Sequence, residues 1–94
     1  MKRLVWSEDA ETDLDAITNY IARDDVIAAI GMRDEIEGQI ERLREFPLSG
    51  REGRVEGTRE LVVTHTPFIV VYIMGDAVQI VRVLHGAQQW PPRA

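Results

Sequence analysis

Two apolar runs, Phe68-Ile69-Val70-Val71-Tyr72-Ile73-Met74 and Ala77–His85, are separated only by Gly75-Asp76, and they constrain this chain more than any other stretch. Gly-Asp between apolar runs predicts a β-hairpin, because a tight two-residue turn needs residues that tolerate positive φ. Phe68–Met74 is apolar on both faces, which places it centrally in a sheet. Its partner strand carries Arg82 within an apolar run and His85 at its end, before Gly86 breaks it. An unpaired buried guanidinium is costly, so Arg82 needs either an acid or a ligand.

Upstream, Lys2–Trp6 reads as a short strand, and Ser7 is placed to cap a helix with Glu8 and Asp9 in its first turn. Ala10, Leu14, Ile17 and Ile21 form one helical stripe, flanked by Tyr20. That helix ends near Arg23, and Asp24-Asp25 caps a second whose stripe is Ala29, Met32, Ile36, Ile40 and Leu43, stopping before Pro47. The short joint predicts a helical hairpin. Gly31 and Gly38 fall on the face opposite the second stripe. Residues Pro47 to Thr58 contain three glycines and a proline and are read as loop throughout; a strand follows over Arg59–Thr64.

The element order predicts a single domain over 1–94 of the α+β class. An N-terminal strand and a helical hairpin precede a three-stranded antiparallel meander, with the helices on one sheet face and the other face free for function. The chain has no cysteine, which removes disulfides and thiolate metal sites and suits a reducing cytoplasm. No signal-peptide pattern or run long enough to span a bilayer occurs, so a cytoplasmic protein without a membrane partner is expected.

The net charge of −5 is uneven: residues 1–46 hold twelve acids and six bases, whereas 47–94 hold four acids and five bases. A general nucleic-acid binder would present a positive footprint, and this composition lacks one. Ten of the eleven basic residues are arginine, suited to bidentate contacts.

Arg51, Arg54, Arg59, Arg82 and His85 are the residues able to carry chemistry on phosphodiesters, histidine as acid or base and arginine as the cation for developing charge. Strand parity opposes a shared site: Arg82 falls with Val78, Ile80 and Leu84, His85 with Gln79, Val81 and Val83. The pair can share a site only if the strand ends or bulges near Leu84. The bland alternatives are an ion pair to a helix acid for Arg82 and a hydrogen-bonded strand terminus for His85. Two histidines twenty residues apart match no metal-ligand spacing, and no cofactor-binding motif is present. Gln88, Gln89 and Trp90 end the chain as a contact surface or as a tail packed onto the sheet.

Taken together, Trp6-Ser7 leading into Ala10-x-x-x-Leu14-x-x-Ile17-x-x-Tyr20-Ile21-Ala22, Phe46-Pro47, Gly57-Thr58-Arg59-Glu60-Leu61, Pro67–Tyr72 and Ile80–Gly86 resemble the RelE/ParE superfamily of bacterial type II toxins, nearest its ParE-like branch. The resemblance implies a toxin, of the kind linked to plasmid stabilisation, bound by a cognate antitoxin whose C-terminal segment folds on it. ParE-like members inhibit DNA gyrase; RelE-like members cut mRNA on the ribosome. Phe68 and Ile69 stand where the family often has Tyr-Arg, and Gln88-Gln89 where it often has a basic pair. These departures favour a gyrase-directed toxin without catalysis, contacting target or antitoxin through Arg51, Arg54, Gln88, Gln89 and Trp90. The alternatives are an endoribonuclease using Arg59, Arg82 and His85, or a degenerate toxin kept for antitoxin binding.

Overall fold

A computed structural model describes residues 1–92. The elements follow the expected order: β1 (Arg3–Trp6), α1 (Glu8–Ala22), α2 (Val26–Glu41) with a 3-10 turn at Arg42–Arg44, β2 (Arg51–Glu52), β3 (Arg59–Val62), β4 (Phe68–Met74) and β5 (Ala77–His85). They build one sheet in the order β1-β5-β4-β3-β2, with β1 parallel to β5 and the other pairs antiparallel. The α+β class and the central position of β4 are as the sequence predicts.

Both helix starts are capped as their sequences suggest. Ser7 Oγ accepts from the Ala10 amide, and Asp25 Oδ1 accepts from the Ala28 amide. Ala10 and Leu14 of α1, with Ile36, Ile40 and Leu43 behind them, pack on Val70, Tyr72, Val78 and Ile80 of the sheet. Gly31 and Gly38 are exposed on the outer face of α2, where a β-carbon would meet nothing within 4 Å.

Four expectations need correction. The hairpin forms, but Met74 pairs with Val78, so its turn spans Gly75–Ala77 rather than two residues, and neither Gly75 nor Asp76 takes a positive φ. The stretch Pro47–Thr58 is not loop throughout: Arg51-Glu52 pairs with Glu60-Arg59 as a fifth strand. Two residues are too few to leave an alternating pattern, and Gly50 and Gly53 mask them.

The parity of β5 also differs. Val71 pairs with Arg82 but Tyr72 with Ile80, leaving Val81 as the extra residue of a β-bulge. Val83 and His85 therefore join Val78 and Ile80 on the helix side, and Arg82 and Leu84 turn away. The bulge precedes both candidates, so Arg82 and His85 remain on opposite faces.

Finally, the second sheet face is not free. Ile69, Val71 and Leu84 point away from the helices yet are 8%, 0% and 1% exposed. The chain beyond β5 passes Ile69 at Gly86, and a cluster around Glu60 lies beside Val71.

Tyr72 ties the sheet to the loop after α2. Its hydroxyl donates to the Pro47 carbonyl at 2.7 Å and accepts from the Gly50 amide at 2.9 Å. Burial pushes this phenol above its usual range, against the Gly50 hydrogen bond and the nearby Arg59 charge, so the donating hydroxyl persists at any physiological pH. A β-carbon on Gly50 would fall 2.5 Å from the Tyr72 oxygen. Tyr72→Phe leaves the Gly50 amide and Pro47 carbonyl unpaired and is expected to lower stability by about 2 kcal/mol. Urea unfolding measures it; an unchanged midpoint would show that the tie contributes nothing.

Candidate functional site

The three candidate ribonuclease residues occupy separate places. Arg59 pairs with Tyr72, two residues before the end of β4, and His85 pairs with Phe68 at its start. Strand spacings put their α-carbons roughly 16 Å apart. Arg59 Nη1 donates to the Gly50 carbonyl at 2.7 Å, anchoring the loop beneath Tyr72. His85 Nδ1 accepts from the Ala87 amide at 3.0 Å, which leaves Nε2 to carry the proton of the neutral ring, and the ring meets Phe68 edge-on at 5.8 Å.

Arg82 is committed to the fold. Its Nε and Nη2 bond Asp13 of α1 bidentately at 2.7 and 3.0 Å, and Asp13 also accepts the Val83 amide at 2.9 Å. These hydrogen bonds outweigh desolvation and raise the Arg82 pKa above its ordinary value. The geometry explains the need for an acid at position 13. β1 covers β5 only as far as Ile80, Ser7 then takes the Ile80 and Val81 carbonyls, and beyond them the edge amide of Val83 has no strand to meet. Asp13 fills that place. The Trp90 ring, half-buried, lies over the Arg82 guanidinium at 5.6 Å, so the tail packs onto the sheet edge, while Gln88 and Gln89 stay exposed.

Sequence reasoning passed over Glu60. Its side chain is fully buried on the face away from the helices. It accepts from Arg51 Nη2 at 3.2 Å, Arg54 Nε at 3.2 Å and the Arg54 amide at 2.8 Å. Burial raises the Glu60 pKa, but the Arg54 and Arg51 hydrogen bonds together outweigh it and hold the carboxyl below the usual value of 4.5. The signal was there: an acid sits inside the strand Arg59–Val62, with three arginines within reach along the chain.

An apolar groove of about 470 Å³ opens between the second half of α1 and the far end of the sheet, lined by Ile17, Tyr20, Ile21, Met32, Phe68 and His85 among others. Tyr20, which lines it, is exposed; Val26, Ile27 and Ile30 of α2 are exposed too but do not line the groove. Among the described residues, no group of three or more His, Cys, Asp or Glu is arranged to hold a metal ion, and no helix is long and apolar enough to cross a membrane.

A small α+β domain with these features is the architecture of a known class of bacterial toxins. Residues 4–90 match the family described as the ParE toxin of the type II toxin–antitoxin system parDE, and the chain belongs to that family. It is 42% identical over 90 residues to Y4kP of Sinorhizobium fredii, a candidate toxin by its name, covering 96% of this chain and 94% of the relative. It is 36% identical over 89 residues to Toxin RelE2 of Caulobacter vibrioides, covering 94% and 99% of the two chains. A chain of the chromosomal ParDE system from P. aeruginosa superposes with a TM-score of 0.83 at 29% identity, over 90% of this chain and 96% of that one. A conserved hypothetical protein from Helicobacter pylori shares the fold at 19% identity and a TM-score of 0.51, over 88% and 92%. The protein is thus a type II toxin of the ParE/RelE group, and that class implies an antitoxin partner.

Proposed function

We propose that the chain is a cytoplasmic toxin that inhibits DNA gyrase and replication without breaking bonds itself, held in check by its antitoxin. The separation of Arg59, Arg82 and His85 carries this reading. Metal-free phosphodiester cleavage needs a general acid or base and a cation converging on one phosphate, within about 3 Å of the atoms they serve. Here the first and last pair with β4 residues four positions apart on opposite sides of that strand, and the middle one is bound bidentately to Asp13 through Nε and Nη2. The net charge of −5 and the single lysine also suit a protein target better than an RNA track. Gln88, Gln89 and Trp90 at the sheet edge, with Arg51 and Arg54 on the β2 side, are the contact residues in this reading.

The groove beside Tyr20 is the seat proposed for the antitoxin segment that folds on binding. It is apolar, and the helical half of the chain around it carries twice as many acids as bases, which suits apolar anchors flanked by basic residues.

The likeness to a relative named RelE2, together with the presence of Arg59, Arg82 and His85, supports a second reading as a ribosome-dependent endoribonuclease. Growth arrest separates the two. On the gyrase reading, His85→Ala arrests growth within about twofold of the parent when expressed without antitoxin, since loss of an exposed side chain costs little stability. A ribonuclease would lose on the order of a hundredfold of its activity with its acid–base group, and codon-phased mRNA cuts would vanish with it.

A further inference from the structure

We propose that Arg51 and Arg54, held in place by Glu60, form a two-guanidinium seat for the carboxylates of an acidic peptide segment. The proposal rests on the antitoxin reading above and extends it: a second, acidic stretch of the antitoxin, distinct from the basic-flanked one placed in the groove beside Tyr20, supplies those carboxylates.

One arginine neutralises one carboxylate, and a bidentate pair would use two donors of a single guanidinium. Glu60 has instead recruited two arginines, one through Nη2 and the other through Nε. Each guanidinium therefore gives Glu60 one of its five N–H donors, and among the described residues neither has another side-chain hydrogen bond. The cluster carries one positive charge in excess. The Arg51 and Arg54 side chains are 58% and 42% exposed, whereas Glu60 beneath them is fully enclosed. A buried carboxylate that fixes two half-exposed guanidiniums limits the freedom they lose when they close on an anion. Arg54 is bound twice, since its own amide also donates to Glu60.

The nearest acids do not quench the seat. Glu52 pairs with Arg59, which shares the helix-side face with Tyr72, and Glu56 lines the same cleft as Glu52 and Arg59. Arg51 pairs with Glu60 on the other face. The same geometry favours a peptide over a nucleic acid. A phosphate backbone is tracked by a stripe of cations; Arg82 is held by Asp13 and Arg59 lies on the helix-side face with Tyr72, so among the described residues on this face of β2 and β3 Arg51 and Arg54 stand as a pair. Two carboxylates a few residues apart on an extended segment match that number.

Arginine side-chain resonances of the isotope-labelled full chain, titrated with hexaglutamate at constant ionic strength, test the proposal. The Arg51 and Arg54 Nε–H signals should shift and saturate while those of Arg3, Arg23 and Arg42 stay in place. Arg51→Lys/Arg54→Lys keeps both charges, loses the planar forks, and should weaken binding about tenfold. Glu60→Gln should weaken it similarly with core methyl signals unmoved; if that variant does not fold, the lysine variant decides.

Absence of a saturating shift, equal shifts at all arginines, or undiminished binding by the lysine variant would overturn the proposal. Tighter binding of inorganic phosphate or a thymidine oligonucleotide than of hexaglutamate would also overturn it. Co-purification with the product of the adjacent reading frame is read separately. A complex that forms without hexaglutamate binding removes the seat alone. Hexaglutamate binding without a complex removes the antitoxin reading and leaves the seat.

Discussion

Glu60→Gln is expected to lower the stability of the domain by about 3 kcal/mol at pH 7, on the order of 15 °C in melting temperature for a chain this size. The amide keeps the shape of the carboxyl but removes its charge from beneath Arg51 and Arg54, and its NH₂ cannot accept. Glu60 is enclosed while Arg51 and Arg54 are 58% and 42% exposed, so solvent screens the arginine side of these bonds and the loss comes mainly from the buried acceptor. The pH dependence gives the effect its signature. The folded-state pKa of Glu60 lies below its unfolded value, so its contribution is fully present above the unfolded pKa near 4.5 and is lost as pH falls through the folded value. The parent should therefore lose stability relative to Glu60→Gln as the solution is acidified below about pH 4.5. Parallel unfolding curves across that range would mean that the carboxylate is not the stabilising group.

Asp13→Ala should have the next largest effect, a loss of about 2 to 3 kcal/mol. It strips Arg82 of both hydrogen bonds and leaves the Val83 amide without an acceptor beyond the end of β1. The Arg82 and Asp13 side chains are 24% and 16% exposed, so some of the lost interaction returns through water. Hydrogen exchange separates this from a general loosening. Val83 should lose protection more than Val70 or Ile80, and the indole emission should shift to the red as Trp90 leaves Arg82. An Asp13→Ala/Arg82→Ala double variant should recover part of the loss, because no buried charge then remains unpaired. Equal protection at Val83 in parent and variant would contradict the role assigned to Asp13.

Much of the fold was legible because its determinants are local. The caps at Ser7 and Asp25, the two helical stripes, the β4–β5 hairpin (though not its turn length) and the doubly apolar β4 each announce themselves within a few residues. What escaped depends on register between distant segments. The bulge at Val81 adds one residue against β4, and no pattern inside Ala77–His85 reveals it because both faces of that strand are apolar. β2 is two residues long and is defined only by the partner it meets.

The site divides in the same way. Arg82 demanded an acid, and Asp13 is that acid, but the sequence could not select it from the twelve acids of the first half. Glu60 stands out in the sequence as an acid inside a strand with arginines nearby, but that it is buried, and against Arg51 and Arg54 in particular, is decided by tertiary contacts.

DNA supercoiling by purified gyrase in the presence of the purified toxin decides between a gyrase-directed toxin and a ribonuclease. The toxin should block supercoiling or trap gyrase on cleaved DNA, His85→Ala should do so equally well, and the product of the adjacent reading frame should abolish the effect. Full supercoiling at a large molar excess of toxin, alongside codon-phased cleavage of translated mRNA that requires His85, would contradict the gyrase reading.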